Sequence, residues 1–242
     1  MNNLGEICVV FDKIEWLEAD ILDIPLLTEA FNDITHVYHC AALISFDPRD
    51  YHKLRKTNIE GTANIVNLSI TNKIEKLCYV SSIATLGDTL NHDPIDEETI
   101  WNSEADNSVY AITKYGAEIE VWRAGQEGVH IVIVNPGVIL GPGFWKNGSG
   151  KLFDKLYHGF PFYTEGTTGF VDVFDVTSIM VELMNSSINN QRYILVGKNE
   201  SFKTVFFAIA DAFNKKRPSI KVTKLISAIG WRTNWLFSKF SG

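Results

Sequence analysis

Long apolar runs are the first thing this chain lacks: no uncharged stretch approaches the roughly 20 residues that a helix needs to cross a bilayer. The opening MNNLGEICVV has no basic segment followed by an apolar core, so no secretory signal is expected. Cysteine is scarce as well. Cys8, Cys40 and Cys78 are too few and too scattered for a disulfide framework, and Cys40 and Cys78 lie inside apolar runs that suggest small buried hydrophobes. A reducing cytoplasm is the default these features set. Basic charge is in deficit, with 22 Lys and Arg against 29 Asp and Glu, a net charge of −7 and no long basic run. That balance argues against a nucleic-acid partner, which needs cations to displace counterions from phosphate. Paired metal ligands are missing too: His36 and His39, three apart on a strand, face opposite sides, so no metal site is expected and structural histidines are the better reading.

Against these absences stands an ordinary globular composition, 45% hydrophobic and 21% charged, in 242 residues, enough for one large domain or one domain with a smaller appendage. Short strand-like runs alternate with longer helical patterns. Residues 13–21, 35–43, 76–82, 130–137 and 192–196 read as strands; 24–31, opened by Pro25, 50–72 and 108–124 read as helices. Near-continuous apolar strands separated by helices predict a parallel sheet covered on both faces, an α/β doubly wound fold. GPGFWKNGSG reads as a turn-rich loop and HGFPFYTEGTTGF as a loop with aromatics, both on the substrate side of such a fold. Phe160, Phe162, Tyr163 and Phe170 there suit either a pocket or subdomain packing. At the C-terminus, Leu225, Ile229, Trp235, Leu236 and Phe240 fall near one helical face, expected to pack rather than to touch a membrane.

One stretch, NSVYAITKYGAEIE, places Tyr110 one helical turn before Lys114, so the two polar ends can address one ligand. Gly116 on another face permits a close neighbour. Upstream, KLCYVSS ends a strand in Ser82, and the next strand-like run ends in NPGVILGPG. A βαβ unit with the intervening helix would deliver Ser82, Tyr110 and the NPG turn to one rim, at the carboxyl ends of the strands.

The motifs EADILD, HVYHCAALISF, NIEGTANIV, YVSSIATLGD, YAITK, NPGVILGPG and GFVDVFDV, over roughly residues 13 to 200, resemble the extended short-chain dehydrogenase/reductase superfamily, also called the NAD-dependent epimerase/dehydratase family. The resemblance implies a Rossmann-like NAD(P)-binding core at 1–137 and a mixed remainder at 138–242 that includes a substrate lobe. It makes Tyr110 the acid/base, Lys114 its partner, Ser82 the donor to the substrate oxygen, and Asn58 the helix asparagine that supports the site. Asp20 and Ile21 would meet the adenine end of NAD or NADP. Ala41 and Ala42 would let the cofactor backbone approach, and Pro136, Gly137 and Val138 would lie beside the nicotinamide, with Tyr110 and Lys114 also at the cofactor. Asp175 resembles an architectural position. A small-molecule substrate is implied, and the family's habit of dimerising through helices beside the sheet allows a homodimer.

Nothing in the sequence matches the family's opening glycine-rich turn, and MNNLGEICVVFDKIEW enters directly before what resembles its third strand, so a truncated chain is expected. Within the family, Leu86 in ATLGD, where epimerases usually carry tyrosine, leans toward reductases resembling dihydroflavonol reductases or hydroxysteroid dehydrogenases. The alternative is a nucleotide-sugar epimerase or dehydratase, in which Arg192 or Asn135 would serve the diphosphate. A third reading, from another class, is a non-catalytic binding module that keeps the fold.

Overall fold

The computed structural model describes residues 13–87 and 94–223. The chain divides into two compact units, residues 1–79 with 108–131, and residues 80–107 with 132–242.

In the first unit, helix α1 (Ile24–Ala30) starts where Asp23 accepts a hydrogen bond from Leu26 N, with Pro25 in its first turn, where a missing N–H costs nothing. Strand β1 (His36–His39) leads to α2 (Tyr51–Leu54), a π-helical turn (Arg55–Glu60) and α3 (Gly61–Thr71), the long helix of the sequence with an unforeseen widening in its middle. Strand β2 (Lys76–Val80) runs parallel to β1, with Tyr38 opposite Cys78 and His39 opposite Tyr79. Helix α4 (Val109–Gln126) packs on α3. Gly116 makes that packing close, since a Cβ there would lie 2.6 Å from Ile59 Cδ1. Leu54, Val66, Leu77, Cys78, Ala117 and Val121 are completely buried, each aliphatic of Val or Leu size contributing about 1.5–3 kcal/mol relative to exposure.

The second unit takes over within β3 (His130–Pro136), whose Val132–Pro136 pairs in parallel with β7 (Gln191–Leu195). Between them come β4 (Val138–Leu140), α5 (Gly150–Tyr157), β5 (Phe162–Tyr163), β6 (Thr167–Asp172) and α6 (Val173–Asn185). Strand β8 (Lys198–Ser201), α7 (Phe202–Ala212) and β9 (Ile220–Lys221) follow. Strand β4 pairs in parallel with β6, β6 antiparallel with β8, and β5 in parallel with β9. Leu156, Phe206 and Ile209 form a satellite core with Phe160 and Tyr163 against it, and Phe170 stacks edge-on to Phe202. Phe160, Tyr163 and Phe170 thus take part in packing.

Three sequence readings need correction. Residues 13–21 are not a strand: the side chains of 13–20 are exposed and the stretch joins none of the strand pairs, and an alternating stretch becomes a strand only by pairing. HGFPFYTEGTTGF is not all loop, because β5 and the start of β6 pair with β9 and β8. Cys40 is exposed, lying just past the end of β1, whereas Cys78 is buried as expected. The C-terminal apolar face lies outside the described residues.

Candidate active site

Helix α4 begins where Ser108 accepts from Ala111 N at 3.1 Å, which sets Tyr110 in its first turn and Lys114 one turn later. The Tyr110 ring is half-buried, 5.6 Å from the exposed Phe46 ring. Lys114 is only 1% exposed. Its Nζ donates to the Tyr79 hydroxyl at 2.6 Å and lies 4.3 Å from that ring's centroid. Burial pushes the Lys114 ammonium down to about 7, while the nearby Glu118 and Cys40 work in the opposite direction by favouring the cation. Glu118 is itself buried one turn further along α4. Burial, helped by the negative charge of Glu118, raises the Tyr79 phenol well above its ordinary range, so Tyr79 stays neutral.

Asn58, on the π-helical turn, is fully committed. Its Oδ1 accepts from Leu43 N at 2.7 Å, and its Nδ2 donates to Leu43 O at 3.0 Å and to Thr113 Oγ1 at 3.1 Å. Thr113 Oγ1 in turn donates to the Tyr110 carbonyl at 3.0 Å. Asn58 therefore ties the segment after β1 to the turn of α4 that carries Tyr110. A π turn widens the helix and re-aims one side chain, a device common at functional sites. Ala41 and Ala42 are exposed just beyond β1. Asp20 is exposed and accepts from Leu22 N at 2.9 Å, while half-buried Ile21 is held through its carbonyl by Asn64 Nδ2 at 3.1 Å.

Ser82, Pro136, Gly137 and Val138 belong to the second unit. Ser82 has extended backbone and caps the 3-10 turn Ile83–Thr85, its Oγ accepting from Ala84 N at 3.2 Å, which leaves the hydroxyl proton to donate. Buried Asn135 fixes this turn, donating to the Ser82 carbonyl at 3.1 Å and to Thr85 Oγ1 at 2.9 Å. Pro136 is buried at the end of β3, Val138 opens β4 opposite Phe170, and Gly137 lies between them. A Cβ on Gly137 would fall 2.3 Å from Gly169 O, so only glycine fits this close approach. Arg192 gives its guanidinium to the Glu97 and Thr99 carbonyls at 2.7 and 2.9 Å. Asp175 sits exposed in the first turn of α6, where a carboxylate favours the helix dipole, and Asp172 supplies the cap. Of the two histidines, His36 is exposed and His39 buried against Thr62.

Residues 3–197 match the model of the NAD dependent epimerase/dehydratase family. The chain belongs to this family. Cinnamoyl-CoA reductase 1 of Petunia hybrida is 25% identical over 203 residues, 80% of this chain and 60% of that protein. A Synechocystis protein named as a candidate dihydroflavonol 4-reductase is 31% identical over 167 residues, 68% of this chain and 48% of that protein. The chain thus spans about half to three-fifths of the length of these curated relatives. Among solved structures, that of gox2253 matches with a TM-score of 0.78 at 27% identity, over 93% of this chain and 70% of the other. Thermus thermophilus UDP-glucose 4-epimerase, solved with NAD, matches at 0.73 and 22%, over 90% and 79%, a likeness that shows the Rossmann-like α/β fold.

The family is NAD-dependent, and similar solved structures hold NAD or NADPH. The exposed, methyl-sized Ala41 and Ala42 just past the carboxyl end of β1 suit the close approach of such a group. Lys114, buried next to Tyr110's turn, supplies a cation of tunable charge. Sequence reasoning passed over Tyr79 and Thr62 as partners around Lys114. For Tyr79 the available signal was chemical, a phenol in the buried, otherwise apolar stretch Leu77–Tyr79 of β2.

Proposed function

We propose that the chain carries the Ser82–Tyr110–Lys114 site of an oxidoreductase acting on a carbonyl or secondary alcohol. The observation that supports it best is Lys114: a buried ammonium one turn from Tyr110 with its pKa brought down to about 7. Buried charge of that kind is costly, and it concentrates at functional sites. When bound, NAD or NADP accepts or gives the hydride at its nicotinamide. Tyr110 passes the proton to or from the substrate oxygen, and Ser82 Oγ donates a hydrogen bond to that oxygen. A free phenol is a weak base at neutral pH, and the Lys114 cation favours its ionised form. Asn58 acts by holding the Tyr110 turn. Asp20 and Ile21 take the adenine end, Ala41 and Ala42 the cofactor backbone, and Pro136, Gly137 and Val138 the nicotinamide side.

On this reading residues 1–137 form the cofactor part and 138–242 include the substrate lobe of a cytoplasmic protein that pairs as a homodimer. Among the described residues no helix is long and apolar enough to cross a membrane. The nucleotide-sugar alternative loses support because both groups that would take a diphosphate are engaged elsewhere, Arg192 by the 97–99 carbonyls and Asn135 by the Ser82 turn. Relatives in sequence include reductases. The test is titration with NADH and NADPH, read by fluorescence and melting temperature, followed by aldehydes, ketones and sugar nucleotides as substrates. Saturable binding with carbonyl turnover upholds the reading. Turnover of sugar nucleotides alone moves it to the epimerases, and no binding by a folded chain moves it to a non-catalytic module.

A further inference from the structure

Lys114 is the end of a chain of polar side chains that crosses the buried face of the first unit. Its Nζ donates to Tyr79 Oη at 2.6 Å, Tyr79 is hydrogen-bonded to Thr62, and Thr62 Oγ1 lies 2.9 Å from His39 Nε2. All four residues are at most 3% exposed. The direction of the first bond follows from the donor inventory: an ammonium can only donate, so Tyr79 Oη accepts from Lys114. The direction of the Thr62–His39 bond is set by the imidazole tautomer. A neutral imidazole is what the setting favours, because burial, with the Lys114 charge nearby, brings the His39 pKa down to about 3. The His39 and Tyr79 rings lie 5.2 Å apart on paired positions of β1 and β2, so the strand register itself brings the chain together.

We propose that Tyr79, oriented by Thr62 and neutral His39, is the positioning residue that holds the Lys114 ammonium in place and in its charged form. The role rests on the Ser82–Tyr110–Lys114 reading only for its effect on turnover; the anchoring itself is a property of the folded chain. Glu118 on α4 and Cys40 after β1 also favour the Lys114 cation, and His39 feels its charge. The Tyr79 oxygen accepts from the ammonium at 2.6 Å. A buried ammonium that loses a charge-assisted hydrogen bond gives up its proton more readily. Removing the Tyr79 hydroxyl therefore lowers the Lys114 pKa further, and any step that needs the cation is lost at lower pH as pH rises.

The experiment titrates Lys114 in the full chain by NMR of labelled lysine side chains, without cofactor or substrate, in wild type, Tyr79→Phe, Thr62→Val and Thr62→Ser. The expected result is a fall of the Lys114 pKa by about one unit in Tyr79→Phe. A smaller fall is expected in the isosteric Thr62→Val, with recovery in Thr62→Ser, which keeps the hydroxyl. In turnover assays the alkaline limb of kcat should move by the same amount, costing about tenfold above it, with KM little changed. An unmoved Lys114 pKa in folded Tyr79→Phe overturns the proposal, and if that variant fails to fold, equal pKa values in Thr62→Val and Thr62→Ser do so. Shifted pKa values in a chain without turnover uphold the anchoring and sink the oxidoreductase reading instead.

Discussion

Lys114 and Lys221 carry the same side chain into opposite settings. In the first unit Lys114 is 1% exposed, rests on a neutral phenol, and is driven toward losing its proton by burial. In the second unit the half-exposed Lys221 pairs with Glu165, which also takes Lys203 at 3.9 Å, and its pKa is raised by that hydrogen bond. Partners alone do not decide the outcome, since Lys114 also has a carboxylate, Glu118, close by. Depth decides it. Around Lys114 the buried Tyr79, Thr62, His39 and Glu118 have given up water, so their hydrogen bonds are required, whereas around α7 solvent replaces whatever is removed. The first setting suits chemistry because it makes charge adjustable; the second holds a surface together at little cost.

The largest break in this comparison is expected at the chemistry. Tyr110→Phe should lower kcat by about 10²- to 10⁴-fold while leaving NADH or NADPH binding intact by fluorescence. Unimpaired turnover would remove Tyr110, and with it the reason for a buried lysine next to it. Next comes the buried scaffold. Asn58→Ala leaves Leu43 N, Leu43 O and Thr113 without their amide partner. A loss of about 3 kcal/mol in urea unfolding is expected, from buried groups left unsatisfied. A loss under about 1 kcal/mol would mean that water reaches this turn and that the first unit is wetter than its burial suggests.

Acid probes the same network from the His39 end. Folded His39 takes its proton only near pH 3, and an unfolded histidine takes it near 6.5. Between those values the unfolded chain binds more protons, so stability falls as pH drops below about 6.5. At pH 5 the loss from this one group is about 2 kcal/mol relative to neutral pH. Glutamine can offer Thr62 a hydrogen-bond partner in place of Nε2 without titrating, so His39→Gln should have a flatter melting temperature between pH 7 and 5 than wild type. Parallel curves would show that His39 does not stay neutral in the fold.

How much of this was legible in the sequence depends on whether a feature is local. Helix starts, the α4 helix and the strands β1, β2, β3 and β7 follow from apolar runs and capping residues such as Asp23 and Ser108. Family membership was legible because its motifs are short and ordered along the chain. The π turn was not, because Arg55–Glu60 has the composition of an ordinary helix and the widening comes from packing. Strands β5, β6 and β8 were hidden by glycine and polar residues that look like loop until their distant partners are known. The Tyr79–Thr62–His39 chain depends on strand register and on α3 lying against it, and no spacing within one segment encodes that. The partners of Arg192 were hidden for the same reason, since the carbonyls that hold it are over ninety residues away.

The smallest effect belongs to the other side of the comparison. Arg217 grips Asp211 with two bonds of 2.7 and 2.6 Å, the shape of a strong ion pair. Yet Asp211 and Arg217 are both exposed, and in such places the Coulomb gain is offset by side-chain entropy and screened by salt. Arg217 also stacks its guanidinium 5.3 Å from the Phe207 ring, a contact that outlasts loss of the carboxylate. Asp211→Asn should therefore leave the melting temperature within about 1 °C of wild type, and 0.5 M salt should erase even that difference. A larger, salt-resistant drop would show that this surface is covered in the working protein, and the contrast between adjustable buried charge and inexpensive surface charge would then have to be redrawn with α7 on the buried side.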